Sequence, residues 1–172
     1  MPARPDAVMR TANAVLRLLI FLNIAGFILL ALFGALSFHP GLRDAIVSAR
    51  GEAAAADVLF AFRLVVLIVA FVVPLAHVLL TRLRAMVATV TAGDPFVPAN
   101  ADRLKTIAWC LLGIQLCDLA FGFVALTVGT RSEALSGWTF SLTGWLAVLL
   151  LFVLARVFDH GARLRDDLAG TV

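Results

Sequence analysis

Asp118 lies in the middle of the apolar run from Thr106 to Gly129, "TIAWCLLGIQLCDLAFGFVALTVG". A carboxylate in such surroundings is costly unless a partner or a proton neutralises it. Gln115 precedes it by three residues, on the same face of a helix. Two other apolar runs carry Asn23 and Arg63, and Thr143 falls at a comparable depth in a fourth. Two chemistries are open to this set. Asp118, Arg63, Gln115 and Asn23 can form a buried polar lock that fixes which helices meet, with Asn23 and Gln115 bridging two of them. Alternatively, Asp118 and Arg63 make a midplane site for a proton, an ion or a small molecule, for which an acid and a proline-broken helix are the usual pointers. Arg63 has a long stem and either reaches inward toward Asp118 or snorkels outward. The proline is Pro74, whose missing N–H predicts a kink. His77 follows three residues later, and is either an interfacial residue or, near Trp109, a pH switch.

The chemistry of soluble enzymes has no comparable constellation. The chain lacks a nucleotide-binding glycine loop and an H-E-x-x-H pair. His39 and His160 belong to opposite ends of the molecule, which leaves His77 without companions for a metal or a haem. Cys110 and Cys117 are seven residues apart, a rise of about 10.5 Å on a helix, too far for a disulfide. They read as small packing residues, and no C-x-x-C redox motif is present. A non-enzymatic protein without metal or cofactor is the expectation.

The elements that must position these residues are membrane helices. Of 172 residues 62% are hydrophobic and 15% charged, with no tyrosine, far from the roughly 45–50% apolar content of a soluble domain. The apolar residues fall in four runs, about 15–38, 58–81, 106–129 and 138–158, each near the roughly 20 residues that span a bilayer. Continuous runs without period-2 alternation choose helices over a barrel. The first run is longer than a secretory signal and ends without a clear small-residue cleavage site. Gly26, Gly34, Gly113 and Gly122 are small residues that allow close helix approach. "HPGLRDAIVSARGEAAAAD" between the first two runs predicts a short amphipathic helix, with the next helix beginning as early as Glu52.

Orientation follows from the basic residues of the flanks. Arg4, Arg10 and Arg17, then Arg82, Arg84, Arg103 and Lys105, then Arg156, Arg163 and Arg165 fall on one side, against Arg43, Arg50 and Arg131 on the other. Both termini and the central loop are thus expected in the cytoplasm. The basic residues are split among three flanks without interleaved aromatics, which argues against direct nucleic-acid binding and fits contact with anionic lipid. The expected fold is an all-α, integral-membrane, up-down-up-down four-helix bundle of one domain, residues 1–172, with helices two and four extended into the cytoplasm. The small-residue faces serve packing within the bundle or in a homo-oligomer.

The longest water-compatible stretch is the loop 82–105. Leu83, Met86, Val87 and Val90 continue the second helix as an apolar stripe, with Arg82, Arg84 and Thr89 off it. Gly93 supplies a stop, Asp94-Pro95 a turn, and Phe96 with Val97 an apolar hook; Pro98 leads to Asn100 as N-cap, with Asp102 in the first turn of the next helix. The C-terminal tail repeats Val157, Gly161, Leu164 and Leu168, with i,i+4 charge pairs among Asp159, Arg163 and Asp167. The two stubs can pack together under Phe96 and Val97. They then serve as a base closing the bundle or as a docking surface for a cytoplasmic protein.

The G-D-P-F-V-P-x-N segment at Gly93 to Asn100, the four-span plan and the tail "ARLRDDLAGTV" together resemble the bacterial membrane-protein family catalogued as domain of unknown function 2975, over nearly the whole chain. The tail departs slightly, with Ala169-Gly170 where family members carry a second acidic or polar residue. The resemblance implies no activity and no catalytic residues. It does imply a bacterial inner (cytoplasmic) membrane location and a gene near a small helix-turn-helix regulator. "RLRAMVATVTAGD" after a span also resembles the first helix of a HAMP signalling module, but a new span follows where a second amphipathic helix would be required.

Overall fold

A computed structural model describes residues 7–128 and 138–169. Five helices follow one another: α1 (Ala7–Leu36), α2 (Pro40–Arg50), α3 (Glu52–Thr91), α4 (Pro98–Val128) and α5 (Leu142–Ala169). All but α2 are long and apolar enough to cross a membrane, and no strand occurs among the described residues. The 40 residues of α3 rise about 60 Å, twice the roughly 30 Å of a bilayer core. A large part of α3 therefore stands outside the hydrocarbon, in agreement with the polar residues of its last turns.

The short amphipathic helix expected after the first run is α2. Its N-cap is His39, whose Nδ1 accepts from the Gly41 amide at 3.2 Å, and Pro40 opens the helix, where its missing N–H costs nothing. Gly51, at φ +84°, turns the chain from α2 into α3, and the Arg43–Glu52 ion pair at 2.8 Å spans that turn.

Packing is sequential. α1 lies on α3, α3 on α4 and α4 on α5, while α2 lies on the start of α3. No comparable contact joins α1 to α5 among the described residues, so the four long helices pack as an open array, each on the next. With neighbours on both sides, α4 is the most covered helix, and its first half supplies the buried Ala101, Leu104, Ile107, Ala108 and Cys110. Phe and Leu side chains on the outward faces are exposed, as membrane helices require.

Small residues set the spacing at particular points. A Cβ on Gly34 of α1 would stand 3.1 Å from Val66 of α3, and one on Gly113 of α4 would stand 2.9 Å from Leu75 of α3. Gly26 has nothing within 4 Å and takes no part in such a contact. Gly122 has a different role from helix approach: the indole of Trp138 fills the place of its missing side chain. The fourth helix also begins later than its apolar run, at Leu142, with residues 138–141 outside any helix.

Candidate functional site

The loop between α3 and α4 is the most heavily tied polar region of the described structure. α3 ends at Thr91, and Gly93 adopts φ +89°. The Gly93 amide then bonds Val90 O at 3.0 Å and the Asp94 amide bonds Thr89 O at 3.1 Å, the pattern by which a left-handed glycine closes a helix. α4 starts at Pro98, with the Asn100 amide bonding Val97 O at 2.9 Å. Asn100 is therefore the third residue of the helix, not the expected N-cap. The proline fits the first helical position, which moves the start toward the loop, from after Asn100 to Pro98.

Freed from capping, the Asn100 side chain turns inward and is fully buried. Its Nδ2 donates to Thr89 Oγ1 at 2.8 Å and to Pro95 O at 2.9 Å, and its Oδ1 accepts from Arg103 Nη1 at 2.7 Å. Thr89 in turn donates to Met86 O at 2.7 Å. One amide thus joins the end of α3, the loop and the start of α4. Thr89 was not legible as a member of this cluster, because an eleven-residue separation across a turn leaves no periodic signal; Arg103 stands at i,i+3 from Asn100, a helical spacing that could have found it. Asp102, expected to act on the helix start, is exposed and pairs with Lys105 at 3.4 Å.

The same loop is fastened to α5. Phe96 packs its ring against Phe158 at 5.3 Å and against the open face of Gly161. Asp94 forms an ion pair with Arg165, and the bond from the guanidinium holds the Asp94 carboxyl below the usual carboxylate range. Arg163 and Asp159 make the expected i,i+4 pair at 3.0 Å, while the side chain of Asp167 lies outside the described residues. Along the preceding stripe Met86 and Val87 are half-buried, whereas Leu83, Val90 and Phe96 remain exposed. Arg84 donates to Asn13 of α1 at 3.2 Å.

The polar residues within the spans do not form one cluster. Arg63 donates to Ser37 O at 2.9 Å and lies over the Phe38 ring at 4.3 Å. It caps the last turn of α1, where carbonyls lack helical partners and a cation is favoured, and takes the outward of its two expected courses. Asp118 instead accepts from Trp138 Nε1 at 3.3 Å. Gln115 lies against Gly144 of α5, its amide filling the place of the missing side chain. Asn23 is on the other side of the array, in a groove with Pro74 and His77. The bridge between Asn23 and Gln115, and the shared Asp118–Arg63 site, are therefore not formed: among the described residues α1 packs on α3 with no comparable contact to α4 or α5, while Gln115 faces α5 and Asp118 faces Trp138 ahead of it. Trp109 packs edge-on against Phe152 at 5.3 Å, away from the residues that line the His77 groove. α3 runs unbroken through Pro74, and Cys110 and Cys117 are both unpaired with each other as free thiols.

Four long apolar helices carrying partnered polar side chains within their spans define a multi-pass helical membrane protein. The chain belongs to the DUF2975 family of proteins of unknown function, which matches residues 39–172. The matched segment contains the G-D-P-F-V-P-x-N loop and the spans of α3, α4 and α5, and leaves α1 outside, a shorter extent than the motifs suggested. Neither a curated protein nor a solved structure matches the chain.

Proposed function

We propose that this is a non-enzymatic protein of the bacterial inner membrane, in an up-down-up-down arrangement with both termini cytoplasmic, that anchors or modulates a soluble cytoplasmic partner through the 82–105 region. The single observation that carries this reading is the fixation of the 93–100 loop by Asn100, Asp94–Arg165 and Phe96–Phe158. A connection that only closed a bundle would not need ties to three helices. A rigid platform presenting Leu83, Val90 and Phe96 to water suits recognition, because little order remains to be imposed on binding. The gene neighbourhood implied by the family makes a helix-turn-helix transcriptional regulator the first partner to test. In this mechanism a shift of the Pro74-containing helix is passed along α3 to the stripe at Leu83 to Val90.

Photo-crosslinking in native membranes tests it, with a probe at Leu83 and a control probe at Ala54 on the other side. Capture of the neighbouring regulator at Leu83 alone, abolished by Met86→Asp, is the expected result. Capture of only lipid or of the chain itself at both positions would sink the docking function. A carrier built on Asp118 is the second reading, favoured by a carboxylate that lies within a span and has one indole as partner. Asp118→Asn that leaves ion or proton uptake into proteoliposomes unchanged rules that reading out.

A further inference from the structure

The seam between α1 and α3 holds a groove of about 340 Å³, within the size range of small-ligand sites. Its walls are apolar, with Phe27 and Ala31 on one side and Val66 and Ala70 on the other. Arg63 is the one charged residue that lines it, at the end where α1 stops. The guanidinium is held there by Ser37 O and by the Phe38 ring. Those contacts use Nη2 and one face, and leave Nε and Nη1 without a protein partner among the described residues. A fixed guanidinium with donors to spare matches the oxygens of a phosphate.

The length also fits. From Arg63 to Ala70 the helix rises about 10 Å, most of one leaflet of a roughly 30 Å core. A second groove of about 290 Å³, bordered by Asn23, Pro74 and His77, continues from the shared Phe27. Both grooves lie between two membrane-spanning helices, so an occupant arrives from the bilayer. Grooves of this volume with apolar walls suit a hydrocarbon chain.

We propose that the α1–α3 groove binds one phospholipid, with its phosphate on Arg63 and one acyl chain lying along Val66 and Ala70 toward Phe27. The guanidinium fixes the headgroup and the groove selects a single chain, so the lipid is held in one place on the protein where ordinary boundary lipid exchanges freely.

Native mass spectrometry of the full chain in mild detergent tests this, with phosphatidylglycerol as the added probe and the retained molecule identified after extraction. One retained phospholipid per chain is expected. Arg63→Gln should weaken retention at least tenfold, Arg63→Lys should weaken it less, and the groove-filling pair Ala31→Phe and Ala70→Phe should abolish it. Leu146→Phe, on the exposed face of α5, should change nothing, and circular dichroism should show equal helix content throughout. Retention that survives both Arg63→Gln and the filled groove overturns the proposal. So does a retained fatty acid in place of a phospholipid, or retention lost equally in Leu146→Phe.

Discussion

A side-chain amide offers two donors and an acceptor oxygen, and at Asn100 both donors and the oxygen are engaged in a fully buried position. Replacing it with alanine removes its bonds to Thr89, Pro95 O and the Arg103 guanidinium, in part-buried surroundings, at a cost of about 1–3 kcal/mol. Asn100→Ala is therefore expected to lower the thermal midpoint clearly, while Asp102→Ala, on an exposed pair, stays within about 0.5 kcal/mol of the parent. Thermal unfolding in detergent compares the two. Asp94 makes a second prediction at this scale. Its carboxyl titrates lower when folded than when unfolded because Arg165 bonds the charged form. The stability it contributes is complete above the unfolded value of 3.8 and is lost as pH falls through the lowered folded value. Protection of the 93–97 amides, measured relative to their intrinsic exchange rates, should therefore fall as pH drops below 3.8 in the parent, and Asp94→Asn should remove that acid-dependent step. The residues of the loop were legible as a stop and a restart, since glycine, proline and asparagine each have a backbone reason to be there. Their partners across the turn and on α5 were not, because Thr89 and Arg165 are specified by tertiary contact alone.

The helices were the most legible elements, since length and hydropathy decide them before any packing is considered. Their neighbours were harder to infer: Gly122 looks like a residue for helix approach, yet it receives Trp138, which lies outside α5. Any Cβ at Gly122 would run into the rigid indole of Trp138, closer than real contacts allow. Gly122→Ala should therefore displace Trp138 from Asp118 and destabilise by about 1–3 kcal/mol. In a background with Trp109 and Trp145 changed to phenylalanine, the emission of Trp138 should shift on that substitution. Gly144→Ala is the milder counterpart, because the atom in its way is the end of the flexible Gln115 side chain. Unchanged emission in Gly122→Ala would remove Trp138 from its assigned place. Arg63 shows the same limit from the other direction: its sequence position allowed two courses, and only the end of α1 beside it decides between them.

At the scale of the whole molecule, the open array α1–α3–α4–α5 makes α1 separable. A chain lacking residues 1–38 should keep the α3–α4–α5 packing and the sensitivity of its thermal midpoint to Asn100→Ala, and should lose lipid retention. If that shortened chain instead loses its helical content or its cooperative transition, α1 is integral to the core. That the family match begins at His39, after α1, agrees with the separation. Sequence reading anticipated four membrane helices but not which of them touch, because hydropathy states that a helix faces lipid without stating which side of it does.

Sequential packing also sets an order of construction. Each long helix rests on the one made before it, so a nascent chain can lay its helices down in turn, with every docking surface already in the membrane when its partner emerges. Only the loop of Asp94 and Phe96 has to wait, for its fasteners Phe158 and Arg165 come from the last helix. Until α5 is made, Phe96 and Asp94 stand without those fasteners. A chain cut short before Phe158 would leave them so permanently, with the loop tied to α3 and α4 alone.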